Sequence, residues 1–176
     1  LRTPVYTEMV NIVNNRPISF DGFKFEPTTV KSMFANFTFS NVRPITKSML
    51  AWWAFQDDAQ ELISLETVLE IEHIYARNRL DKDKSLSDAK NLEALGNKAL
   101  LEKRINIRAA DYRFTDKVKY YQGFTNSRNQ KKDGTRNHEL INLAAAADFT
   151  EDDIRNRTKQ IMVEFRNFLT ENDLTK

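Results

Sequence analysis

The chain has 176 residues, enough for one domain with a real core, and its 40% hydrophobic and 30% charged residues are an ordinary balance for a soluble protein. The formal net charge is only +2, and no apolar run approaches the ~20 residues that cross a bilayer, so a membrane role is not expected. Cysteine is absent, which excludes disulfides, thiol catalysis and Cys-ligated zinc and fits a reducing, cytoplasmic setting.

Gly and Pro number four each, so breakers are few and a mainly helical chain is expected. Pro4 to Asn14 is predicted to be a short helix. Pro27 to Phe37 is a second, with Val30, Met33, Phe34 and Phe37 at helical spacing. Ile45 to Asp58 is a third, whose wide apolar surface (Met49, Leu50, Trp52, Trp53, Phe55) marks a core helix. From Leu65 the pattern changes to a β-prone run, Val68, Leu69, Ile71, Ile74 and Tyr75, with charges between. Arg77 to Ala89 is polar and predicted to be loop, followed by a short helix over Leu86 to Leu95. Gly96 marks a turn, Lys98 to Leu101 a second strand and Glu102 to Ala110 a helix. Asn126 to His138 has almost no apolar residues and is expected to be loop. The last helix has the clearest start: Thr150 as N-cap, Asp153 three residues on, and Phe149 with Ile154 as a hydrophobic staple. Ile154, Ile161, Phe165, Phe168 and Leu169 form its apolar stripe.

The chemistry-bearing stretch is Glu70-Ile71-Glu72-His73-Ile74-Tyr75-Ala76, read with Gly96-Asn97-Lys98 and, nine residues after Asn97, Asn106. An acid and a histidine close an apolar run, an asparagine sits in a tight turn, and a second asparagine lies on a helix. This order resembles the active-site hairpin and helix of HNH nucleases, the His-Me finger group. The wording is more specific still. Ile71-Glu72-His73-Ile74-Tyr75, Leu95-Gly96-Asn97, Leu100-Leu101-Glu102-Lys103, Ile105-Asn106, Phe114-Thr115-Asp116-Lys117 and the late Ile154-Arg155-Asn156-Arg157 look like the C-terminal nuclease domain of GmrSD-type restriction enzymes. The likeness runs from about residue 60 to 170. Two positions depart from it: Ala76 stands where the family usually has proline, and Lys98 where it usually has an apolar residue.

The resemblance implies a mainly α fold with a small embedded ββα-metal (HNH) motif: a helical N-terminal part over 1–60 and a nuclease core with the C-terminal helix over 61–176. It implies endonucleolytic cleavage of DNA, often phage or modified DNA, with a divalent metal, Mg²⁺ or Mn²⁺, in restriction or phage defence. It also implies a nucleotide-hydrolysing domain preceding the nuclease in the whole protein. This chain has no Gly-rich phosphate loop, and its start at Leu1 rather than Met is expected of a piece of something longer.

Phosphodiester hydrolysis needs a base near pH 7, and an ordinary histidine titrates at about 6.5. His73 is the candidate base; the only other histidine, His138, has no motif around it and is expected to be a surface residue near a helix start. Mg²⁺ prefers oxygen ligands and keeps several waters, so one carboxylate and one amide oxygen suffice. Glu72 and Asn106 are the expected metal ligands, and Asn97 is expected to brace the loop that holds His73. Residues 98–132 carry ten basic side chains against three acidic ones, a net +7, so the rest of the chain carries −5. Such placement suits a polyanion, and Lys103, Arg104, Arg108, Arg113, Lys117, Lys131 and Lys132 are the expected nucleic-acid contacts. The competing functions are an inactive DNA-binding or sensing module of the same fold and a purely helical interaction domain. Glu72, His73 and Asn106, all present, discriminate against the first, and the second would not require basic charge to gather around residues 98–132.

Overall fold

The computed structural model describes residues 2–19, 22 and 24–176. The chain divides into two compact units, residues 1–37 with 162–176, and residues 38–161. Among the described residues no helix is long and apolar enough to cross a membrane.

In the first unit, α1 spans Arg2–Val13 and α2 Pro27–Asn36, the latter opened by a proline in its first turn. Only Val30 of the stripe predicted on α2 is deeply buried, and Met33 is exposed. Phe34 meets Phe165 with ring centroids 6.0 Å apart. Phe25 forms a parallel bridge to Thr175, which ties the last residues to the start of α2.

The second unit holds the candidate chemistry. α3 (Pro44–Ala54) buries Thr46, Met49, Leu50 and Ala54, while Trp52 and Trp53 are half-buried. The Trp53 indole donates to Glu139 Oε1 at 2.7 Å, so this tryptophan is a wall of the fold rather than a free stacking surface.

β1 (Leu69–His73) pairs antiparallel with β2 (Lys98–Glu102), in a register that sets His73 opposite Lys98, Glu72 opposite Ala99 and Glu70 opposite Leu101. The β-prone run from Val68 to Tyr75 contains this strand, because its apolar positions have β2 and the core to pack against. Between the strands run α4 (Arg77–Asp83) and two short 3₁₀ turns, Ala89–Glu93 and Leu95–Asn97. The loop expected over 77–89 therefore begins as a helix. No residue of α4 is buried, so its sequence has no apolar stripe to read; ion pairs such as Arg79–Asp83 support it instead.

β2 runs straight into α5 (Lys103–Ala109), and the Lys103 amide donates to Val68 O at 2.9 Å. α6 (Phe114–Gln122) follows and buries Phe114, Lys117 and Tyr121 on one face. A small hairpin, β3 (Phe124–Thr125) with β4 (Lys131–Lys132), interrupts the loop expected over 126–138. α7 (His138–Leu143) and α8 (Glu151–Glu171) complete the chain. Thr150 and Asp153 cap α8 reciprocally: the Thr150 amide donates to Asp153 Oδ2 at 2.7 Å. Ile74, Leu101, Ile105, Phe114, Tyr121, Leu140, Phe149 and Ile154 form the core that the strand pair and α5 to α8 share.

Candidate active site

His73 ends β1, and the residues after it are held by the 95–97 turn. The Ile74 amide donates to Asn97 O at 2.9 Å and the Tyr75 amide to Asn97 Oδ1 at 2.7 Å. Asn97 Nδ2 donates to Tyr75 O at 3.1 Å and to Leu92 O at 2.9 Å. Asn97 is fully buried, and both its amide hydrogens and its carbonyl oxygen are engaged with backbone.

That turn is itself clamped from α8. The Gly96 amide donates to Thr158 Oγ1 at 3.0 Å, and a Cβ on Gly96 would collide with the Ile154 carbonyl and Thr158. Glycine is required there by close approach. Arg157, only 5% exposed, donates from Nη1 to Gly96 O at 2.9 Å and Lys98 O at 2.7 Å. Its other nitrogens hold the Glu139 carboxylate bidentately, at 2.6 Å and 2.7 Å.

On one side of the strand end, His73 Nε2 lies 3.3 Å from Glu93 Oε1. A carboxylate only accepts, so a neutral His73 in this contact carries its hydrogen on Nε2 and leaves Nδ1 as the basic nitrogen. Burial, with the nearby Lys98 and Arg77 charges, lowers the His73 pKa to about 4 against the opposing pull of Glu93, so the ring is neutral at pH 7. Lys98, fully buried, donates to Glu93 Oε2 at 2.6 Å, Asn41 Oδ1 at 2.9 Å and the Phe39 carbonyl. The lysine that departs from the family pattern thus finds a carboxylate and two oxygens, which is what allows an ammonium there at all.

Successive strand residues face opposite ways, so Glu70 and Glu72 lie on the other face from His73. Glu72 is 3% exposed, and its Oε1 accepts from Lys117 Nζ at 2.7 Å and Tyr121 OH at 2.6 Å. Burial raises its pKa against the Lys117 charge and both hydrogen bonds. Asn106 is brought to Glu70 rather than to Glu72: its Nδ2 donates to Glu70 Oε2 at 2.9 Å. Glu70, Asn106, Ile71, Asn41 and Lys47 line one open groove of about 410 Å³ along the free edge of β1.

The cations expected to meet nucleic acid separate into two groups. Lys103 and Arg104 are exposed on α5, with Lys103 Nζ 3.7 Å from Glu70 Oε1. Arg108 is half-buried and reaches Asp133 O, Arg113 pairs with Asp83 at 2.6 Å, and Lys131 and Lys132 lie on β4. Lys117 does not belong with them. It is 1% exposed, with its ammonium on Glu72 and on His73 O at 2.6 Å, so it is an internal counter-charge rather than a phosphate contact. Its position is i+3 from Phe114 and i−4 from Tyr121, a buried stripe that only the helix period of α6 would have exposed. His138 opens α7 and its Nδ1 lies 2.6 Å from Asp57 Oδ2, in a pair that shares no contact with His73.

Sequence reasoning gave no role to Glu93, Lys98 or Arg157. Glu93 and Lys98 become partners only once the Ala89–Glu93 turn and β2 are folded. Arg157 was visible as part of the closing-helix motif, but not as a clamp on a turn about sixty residues earlier. No curated protein and no solved structure matches the chain. A family model does match, over residues 28–164, and begins upstream of the stretch where the motifs were found. Its description is that of the GmrSD restriction endonucleases, C-terminal domain, and the chain belongs to that family.

Proposed function

We propose that this chain is a metal-dependent endonuclease domain of the HNH type that hydrolyses phosphodiester bonds in DNA, in a restriction or phage-defence setting. The observation that carries it is the strand pair with α5 directly behind it: one small motif holds His73 at a strand end, Asn97 as the brace of the following loop, and Asn106 on the helix, within a restriction-endonuclease family. A nucleotide-hydrolysing domain of a longer protein is the partner that this reading implies.

In this scheme His73 Nδ1 takes the proton of the attacking water, while Glu93 on Nε2 keeps the ring in the tautomer with Nδ1 unprotonated. A divalent cation, Mg²⁺ or Mn²⁺, would supply positive charge to the scissile phosphate and the leaving oxygen when bound. Asn106 Oδ1 and the β1 carboxylates Glu70 and Glu72 would hold it, Glu70 and Asn106 from the open groove and Glu72 from its buried place beside Lys117. Asn106 uses its Nδ2 for Glu70, and both side-chain bonds of Glu72 go to Oε1. Lys117 beside Glu72 holds that carboxylate's charge in balance and ties it to the His73 carbonyl.

The test is relaxation of supercoiled plasmid as metal is titrated. Glu72→Gln and Asn106→Ala should each move the half-maximal Mg²⁺ or Mn²⁺ concentration upward by roughly 10- to 100-fold, the usual cost of disturbing a site with few protein ligands. Glu70→Gln should do the same if it shares the cation, and should leave the requirement alone if it only orients Asn106. An unchanged metal requirement in both the Glu72 and Asn106 variants would sink this ligand set. DNA binding without any nicking would favour the inactive module, for which the Glu72–Lys117 ion pair is the supporting observation.

The basic surface gives a separate expectation. Lys103→Ala combined with Arg104→Ala should weaken duplex binding about equally for unrelated sequences, because phosphate contacts position rather than specify. The log–log salt dependence should flatten by about 0.9 for each phosphate that the variant no longer neutralises. A salt series by fluorescence anisotropy checks this; an unchanged slope would make these cations a solvated face.

A further inference from the structure

At the junction of α5 and α6 the chain makes an unusual move. Ala110, the residue just after α5, sits at φ 43°, ψ −144°, a backbone conformation that residues with a Cβ rarely adopt. Two residues on, the Tyr112 ring is held outward, 50% exposed. It stacks nearly parallel on Tyr120, with centroids 6.4 Å apart and planes 13° apart. Tyr120 in turn meets Phe124 edge-on at 5.3 Å and carries the Lys119 ammonium 5.0 Å from its ring centre. The outermost ring is therefore supported from behind and has little freedom left to lose on binding.

Beside that ring opens a polar pocket of about 190 Å³ whose walls include Asn78, Lys82, Asp111 and Asp116. Its two arginines are committed: Arg79 to Asp148 at 2.7 Å and Arg113 to Asp83 at 2.6 Å. Asp111 already accepts from the Asn78 amide at 2.8 Å. The side chains of Asn78, Lys82 and Asp116 have no hydrogen-bond or ion-pair partner among the described residues. A supported aromatic face next to uncommitted donors and acceptors suits a flat, polar-edged heterocycle with an anionic neighbour that Lys82 and Lys119 can meet.

We propose that this pocket receives one unpaired nucleobase of the DNA substrate, stacked on Tyr112 with its polar edge toward Asn78 and Asp116. The proposal rests on the nuclease reading for its substrate class. α5 and α6 carry both places: Asn106 and Lys117 for the candidate active site, and Tyr120 with the Tyr112 junction for the pocket.

The test is binding by anisotropy in a His73→Ala background, which prevents cutting. The probes are two fluorescein-labelled DNA hairpins, one fully paired and one with a single extrahelical base in the stem. The bulged hairpin should bind more tightly. Tyr112→Ala should weaken it by roughly 5- to 150-fold, the range for removing one base–aromatic stack, and leave the paired hairpin unchanged. Tyr112→Phe should retain the preference, since the ring and not the hydroxyl is used. Equal affinity for the two hairpins in the parent, or a Tyr112→Ala loss that is the same for both, would overturn the proposal. Failure of the nuclease reading is read out separately, as absence of plasmid nicking with His73 intact.

Discussion

Replacing His73 with alanine should lower the rate of plasmid nicking by about 10²–10⁴-fold while DNA affinity stays within roughly threefold of the parent, a difference under ~0.7 kcal/mol. The side chain is buried, with the Glu93 carboxylate at 3.3 Å as its polar partner, so truncation leaves a small cavity and the rates are compared at temperatures where the variant is folded. The pH profile makes the assignment sharper. The base works only when deprotonated, so activity should fall as pH drops through the His73 pKa. Burial and the Lys98 and Arg77 charges hold that pKa at about 4, below the ordinary 6.5 of histidine. The acid limb of kcat/KM should therefore lie well under pH 6, with the rate flat from there to neutrality. Removing the neighbouring cation by Lys98→Met should move the limb upward, since a positive charge that disfavours imidazolium is gone. Nicking that survives His73→Ala at near the parental rate would assign the base elsewhere. An acid limb near 6.5 would mean that His73 is more open to water in the working enzyme than its position beside Lys98 requires.

How much of this was legible beforehand depends on the range of the interaction. The strand pair was readable because β1 alternates and Gly96 breaks the chain before β2. The Thr150–Asp153 cap was readable because its parts lie three residues apart. α4 was not, since Leu80 is its one apolar residue on the core and a single residue makes no periodic stripe. Lys117 was misjudged for the opposite reason: a basic segment is counted by charge, and one member of the count points inward to Glu72. The hydrogen-bond partner of Asn106 was not legible either. Glu70 and Glu72 share a face, and only α5, starting directly after β2, decides which of them Asn106 meets.

The largest effect on stability is expected at Arg157, far from the bond to be cut. Its guanidinium answers the Glu139 carboxylate bidentately and three backbone carbonyls of the turn that precedes and opens β2, those of Leu95, Gly96 and Lys98. Arg157→Met keeps most of the apolar stem and removes every one of these donors. The Glu139 carboxylate is then left beside Trp53 with a single neutral donor, and the carbonyls lose theirs in a water-poor place. Breaking a buried pair from one side costs about 3–5 kcal/mol. Urea unfolding should report that loss as a lower midpoint at unchanged slope. Adding Glu139→Leu should recover part of it, because the stranded charge is gone, while the Gly96 and Lys98 carbonyls still lack the Arg157 donor; the Leu95 carbonyl keeps the Lys98 amide. The remaining deficit has a functional address. The same turn carries Asn97, which holds the two residues after His73, so at temperatures where Arg157→Met is still folded its nicking rate should fall further than its folded fraction does. A variant whose activity tracks the folded fraction alone would show that Arg157 holds the domain together without positioning the His73 loop.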